Sequence, residues 1–301
     1  MKKTTFLIIL TLLSIFLYSQ TDFRSSNSTE YTQSKSSLEI IKDVNQKIEI
    51  MEIDYDIDEP TEIGYSKSGM GTKFDKSDDL YAYALELHDL AESGDSEAQY
   101  YLAYVISHCY SPELPTSEFD SALSIELNDW MRTRCAGFFN QGIESLGEIE
   151  YWIKRSSQSK YPQALVANLI IQDELPLTSA VLSDIQLALK SKSGEVMNLL
   201  GSFGHPQKNR IANEAWKILA CDYGRDCTER SKDIWRFHLG ATCSIKMMTS
   251  EECKTNIDYI TYSKSHYTSE EFKQIMNKVA SLRAVITSDR ISELTFEQIL
   301  D

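Results

Sequence analysis

The chain is short of residues that break helices, with 12 glycines and 6 prolines in 301 residues. Past residue 77 it also lacks the apolar-polar alternation of strands, which excludes a sheet as the basis of the main body. Basic side chains are in the minority, 30 against 45 acidic, for a net charge of −15. A chain that acidic repels phosphate backbones and anionic lipid, so nucleic acid is excluded as an expected partner. Long apolar runs are missing with one exception. C-x-x-C spacings and paired histidines are missing altogether, which removes the usual frame of a zinc site.

The exception is "FLIILTLLSIFLY", Phe6–Tyr18, behind Lys2 and Lys3. It is shorter than the ~20 residues of a spanning helix and has the length of a signal-peptide core. Residues 1–20 are therefore expected to be an export signal, although Ser19 and Gln20 make no clean cleavage site; an uncleaved membrane anchor is the competing reading. Loss of two lysines would leave a net charge of about −17. The mature chain is expected in the periplasm of a Gram-negative bacterium, or secreted, without stable membrane insertion.

Six cysteines, Cys109, Cys135, Cys221, Cys227, Cys243 and Cys253, all fall in the mature chain. An even count in an exported protein predicts disulfides. Clustering favours Cys109–Cys135 plus two bridges within 221–253, whose pairing is left open. No metal and no cofactor are expected.

Residues 21–76 read as an acidic, serine- and threonine-rich leader. It includes a helical spacing at Leu38, Ile41, Val44, Ile48 and Met51, and a short alternating stretch, "EIDYDIDEP". Gly64, Gly69 and Gly71 suggest a loop before the main body, whose boundary is placed near Ser77. From there "SDDLYAYALELHDLAES" predicts a helix capped by Ser77. Gly94 is suited to a left-handed C-terminal cap, and Ser96 to the start of a second helix folding back. Ala98 and Ala103 are small residues that let two such helices approach closely. The design recurs in "YWIKRSSQSKYPQALVANLI" and in "DIQLALKSKSGEVMNLLGSF", with Ala164 and Val196 in the place of Ala98. These positions are 66 and 32 residues apart. The second step is one helical hairpin; the first, which holds Cys109 and Cys135, predicts an expanded or degenerate unit.

On these residues the chain resembles the Sel-like repeat, a relative of the tetratricopeptide repeat. Ala91, Gly94, Ala98 and Leu102 match in the first copy, Trp152, Ile153 and Ala164 in the second, and Leu200 and Gly201 in the third. Lys160 and Lys192 stand where the repeat has glycine. The resemblance covers about residues 78–220. It implies an all-α fold, a right-handed α/α solenoid of helical hairpins, and binding of proteins or peptides, commonly without catalysis. In "LACDYGRDC" followed by "HLGATC", the C-terminal third, residues 221–301, resembles the cysteine-bearing end of uncharacterised exported proteins of Gram-negative bacteria. It is expected to form a disulfide-containing helical cap, closed by "YTSEEFKQIMNKVASLRAVI" with Thr268 and Glu271 as a capping box.

Chemistry is sparse. His108-Cys109 suggests a thiol nucleophile, but helix neighbours point about 100° apart and Cys135 offers an oxidising partner, so a disulfide is favoured. His88, His205, His238 and His266 show no ligand spacing, and "GSFGHP" lacks the lysine of a phosphate loop. No catalytic residue is assigned. A hydrolase site would require His88 or His238 beside a carboxylate in a deep pocket. Tyr81, Tyr83, Tyr100, Tyr101 and Tyr104 crowd the first hairpin, and not all can face inward; Tyr81 and Tyr101 are the expected partner contacts. The sequence thus predicts an exported, non-enzymatic binding module for a protein or peptide. A host or competitor protein as target of a secreted form is the alternative.

Overall fold

Several helices of this protein start at short polar side chains and several finish at left-handed residues. The computed structural model describes residues 68–110, 122–143, 145–172, 176–203, 209–233, 235–236, 238–240 and 256–300. All of these fall in the compact unit Asp58–Asp301. The expected signal, most of the leader, Cys243 and Cys253 lie outside the described residues. Among the described residues the protein is all-helical, with no strand.

The first helix, α1 (Gly69–Lys76), lies in what the sequence suggested was a loop. Ser68 Oγ accepts from the Gly71 amide, and Phe74 supplies an apolar anchor. Two cap assignments also change. Asp79, not Ser77, caps α2 (Leu80–Glu92) by accepting from the amides of Tyr81 and Ala82. Asp95, not Ser96, caps α3 (Ser96–Tyr110) by accepting from the Ala98 amide at 2.9 Å. Asp79 lies two residues after the expected Ser77 and Asp95 one residue before the expected Ser96; each carboxylate reaches free amides of the first turn, where an anion also suits the helix dipole.

Gly94 closes α2 at φ 100°, as expected. Lys160, at φ 61°, and Lys192, at φ 50°, adopt the same left-handed region. Lys160 follows α5 (Ile149–Gln158) and precedes α6 (Pro162–Ile171); Lys192 separates α7 (Ser179–Leu189) from α8 (Gly194–Ser202). Gly224, at φ 95°, does the same after α9 (Arg210–Asp222). Three of these turns share one hydrogen-bond pattern: the next amide reaches back to a helix carbonyl, Asp95 to Leu90, Tyr161 to Ser156 and Arg225 to Ala220. That is the Schellman motif, which satisfies carbonyls the helix end leaves unpaired.

Packing follows the hairpins. Within each, α2 lies on α3, α5 on α6, and α7 beside α8; between them, α3 lies on α5, α6 on α7 and α8, and α8 on α9. The positions matched in sequence, Ala98, Ala164 and Val196, are all fully buried. Closest approach is made through small residues. Ser156 Oγ donates to the Ser96 carbonyl at 2.6 Å, joining α5 to the start of α3. The Gly194 amide donates to the Tyr223 carbonyl at 2.7 Å, and a Cβ on Gly194 would meet the Ala220 and Tyr223 carbonyl oxygens at 2.6 Å.

The long step between the first two copies is filled by α4 (Ala122–Gln141). It is one continuous 20-residue helix, packed on α2 and α3 and tied to α3 by Cys109–Cys135. Cys221 pairs with Cys227, closing the turn after α9. The chain ends with α10 (Tyr259–Ser265), α11 (Ser269–Thr287), a 3-10 turn (Ile291–Glu293) and α12 (Phe296–Leu300). Thr268 and Glu271 form the expected capping box. α11 lies on α9, and the last residues return to the hairpins: the fully buried Trp216 donates to the Ile299 carbonyl at 2.9 Å, and Gln186 to that of Leu294.

Candidate functional site

One strip of α3 carries Tyr100, Tyr101, Tyr104 and His108, spaced so that successive turns place them on neighbouring faces. Glu195, in the first turn of α8, reaches this strip. Its Oε1 accepts from the Tyr100 hydroxyl and its Oε2 from that of Tyr101, each at 2.9 Å. Tyr161, at the start of α6, sets its ring 5.5 Å from Tyr100. The second helices of three hairpins therefore meet around one carboxylate. Ser68, just before α1, adds a donor to the Tyr101 hydroxyl at 3.3 Å.

Burial raises the pKa of all four phenols well above the ordinary tyrosine range, and neighbouring acids push further in the same direction. For Tyr100, Tyr101 and Tyr104 the leading charge is Glu195; for Tyr161 it is Glu97, then Glu195. Near neutral pH they are protonated hydrogen-bond donors, not bases or nucleophiles. Tyr104 also feels Asp233 and Asp75, with Arg225 opposing. Arg225 itself donates to Asp233 at 2.6 Å and lies 4.5 Å over the Tyr259 ring. On its other side a second carboxylate repeats the theme: Glu214 accepts from Tyr259 at 2.8 Å and from Tyr267 at 3.5 Å.

The partner contacts expected from sequence need correction. Tyr81 is 8 % and Tyr101 2 % exposed, so neither presents a surface. Each is covered by an element whose packing the sequence did not reveal. Gly137 of α4 lies directly on Tyr81, with Phe138 edge-on at 5.2 Å, and Gly71 of α1 lies on Tyr101. Of the five crowded tyrosines it is Tyr104 that reaches solvent, at 36 %. Tyr151 on α5 is also exposed, next to Arg155, which donates to its hydroxyl at 2.9 Å.

The residues weighed for chemistry are dispersed. His88 meets the Trp152 ring edge-on at 5.8 Å. His266 lies beside Tyr262, His238 is in the segment after α9, and His205 is outside the described residues. Cys109 is oxidised, so His108 has no thiol to activate. Among the described residues no group of three metal-ligating side chains converges. The Tyr100 and Tyr101 phenols are buried and committed to Glu195, so they tie α3 to α8, and of the strip's tyrosines it is Tyr104 that turns a ring toward solvent. The sequence marks Glu195 and Tyr161 only by their places in the recurring hairpin pattern and not as site residues, although both stand within three residues of a left-handed lysine. No protein-family model matches the chain, and no curated protein or solved structure matches it significantly.

Proposed function

We propose that this chain is an exported, non-catalytic helical-repeat protein of the Sel-like, tetratricopeptide-like kind, working in the periplasm as a binding module for a protein or peptide. One observation carries the reading: the left-handed turns at Gly94, Lys160, Lys192 and Gly224 recur in register and separate helices that pack hairpin on hairpin. Stacked units of this sort bury a shared core and leave an extended surface. A right-handed solenoid is the arrangement that such a stack would build, with α11 and the residues after it closing one end. Phe6–Tyr18 as an export signal agrees with the two disulfides, since bridges persist in oxidising compartments. Among the described residues no helix is long and apolar enough to cross a membrane.

Tyr104 is the residue on which a partner is expected to rest, because it alone of the five first-hairpin tyrosines reaches solvent, while its ring is held against Phe74, Tyr100 and Tyr101. Affinity capture from periplasmic extract under non-reducing conditions tests this. The native chain should retain a defined partner that Tyr104→Ala loses while its circular dichroism is unchanged. An identical set of captured proteins for both chains would contradict the reading.

A further inference from the structure

His108 is caged where α1, α3 and α4 meet. Its ring lies 5.3 Å from Phe74 of α1, edge-on, 6.4 Å from Tyr104, stacked, and 6.4 Å from Trp130 of α4. Nε2 is buried without a hydrogen-bond partner. Beside it, Arg134 of α4 places its guanidinium 4.4 Å from the Trp130 ring and 5.0 Å from Phe74, while donating to the Phe74 and Ser77 carbonyls. The cage thus already holds one cation. A second would lack both water and an acceptor, a costly combination.

Of the elements around the cage, α1 is the easiest to displace. α4 is stapled to α3 by Cys109–Cys135, the residues next to His108 and Arg134. α1 has 8 residues and buries only Gly71 and Phe74. A helix so short is not stable alone, so its order depends on docking. We propose that α1 is an acid-released strap: protonation of His108 expels Phe74 and lifts α1 from α3.

The charges facing the cage are Arg134 of α4, Asp75 of α1 and Asp78 of the next turn, which both act on Arg134, and Asp233 after α9. Lys232 lies 5.9 Å from the Trp130 ring. Desolvation, then Arg134, lowers the His108 pKa to about 4, with Asp233 opposing. Once α1 leaves, the imidazole regains water and its ordinary midpoint of about 6.5. A group whose pKa is depressed in the docked state favours docking above about 6.5 and loses that contribution as pH falls toward about 4. The open-to-docked ratio should then rise roughly 30-fold between about pH 7.5 and about pH 5. Release would also uncover Tyr101, a consequence for binding that rests on the function proposed above; the release itself does not.

Hydrogen exchange on the full chain at pH 7.5 and pH 5, corrected for intrinsic rates, tests this. Residues 69–76 should open roughly 30-fold more at the lower pH while α9 holds its protection, and His108→Gln should abolish the difference. Three results would overturn the proposal: no pH effect on 69–76, the same effect in His108→Gln, or parallel opening of α9. Should His108→Gln not fold, the imidazole of the native chain is titrated by NMR. A midpoint depressed below the ordinary value of about 6.5 supports the strap, because docking then opposes protonation, and one at or above about 6.5 overturns it.

Discussion

Lys192 Nζ lies 2.7 Å from Asp289 Oδ1, and both residues hold left-handed backbone, at φ 50° and φ 57°. One ends α7 and the other follows α11, so the ion pair joins the turn of a hairpin to the segment that returns over it. Asp289 also carries the turn pattern seen at Gly94: its amide reaches the Ile286 carbonyl, and the Arg290 amide that of Val285.

These turns yield a paired prediction. Left-handed backbone costs an L-residue roughly 1–2 kcal/mol. Lys192→Gly relieves that cost and forfeits an ion pair whose Asp289 side is 77 % exposed, worth at most about 1 kcal/mol. The variant should unfold at equal or higher denaturant concentration than the native chain. Gly94→Ala has open space around its Cβ, so only the left-handed backbone resists it, and stability should fall by about 1–2 kcal/mol. The opposite order in urea melts would show that the turns are not equivalent.

The disulfides should differ in weight. Cys109–Cys135 spans a sequence separation of 26 and Cys221–Cys227 one of 6. Loop-closure entropy assigns about 3.5 kcal/mol to the first and about 2.3 kcal/mol to the second. Replacing each pair by serines and comparing the losses checks this ranking. A larger loss at Cys221–Cys227 would mean that the bridge matters chiefly within the native state.

The cap of α11 gives a pH signature. The Thr268 amide, Arg210 and the Thr268 hydroxyl hold the Glu271 carboxyl down at about 2, against 4.5 ordinarily. Since the pKa is depressed by folding, its contribution is complete above 4.5 and is lost as pH falls from 4.5 toward 2. Thr268→Ala should cost about 1 kcal/mol near neutral pH. In the same variant, which keeps the residue 268 amide, the Glu271 titration followed by NMR should move upward, and an unmoved midpoint would remove the Thr268 hydroxyl as a cause.

Much of this architecture could be read from local patterns, because helix periodicity, small crossing residues and the Thr268–Glu271 spacing act over a few positions. Lys160 and Lys192 show where that legibility ends. As departures from glycine they weaken a sequence match, yet the folded chain imposes the glycine conformation on them. Tyr81 and Tyr101 failed for a related reason. Their burial depends on Gly137 and Gly71, which belong to other helices, and glycine gives no apolar signal of its own. Glu195 is equally silent, since its meaning comes from tyrosines some ninety residues earlier.

The account rests on units that stack on their neighbours, and native-state hydrogen exchange of Gly194→Ala tests it most directly. The added methyl would strike the backbone of Ala220, Tyr223 and Arg225 at the contact between α8 and α9. In a stacked array the damage stays near its source: opening should become easier in α7, α8 and α9, while α2 and α3 keep their protection. An equal loss of protection across α2 to α11 would describe one indivisible core and contradict the account.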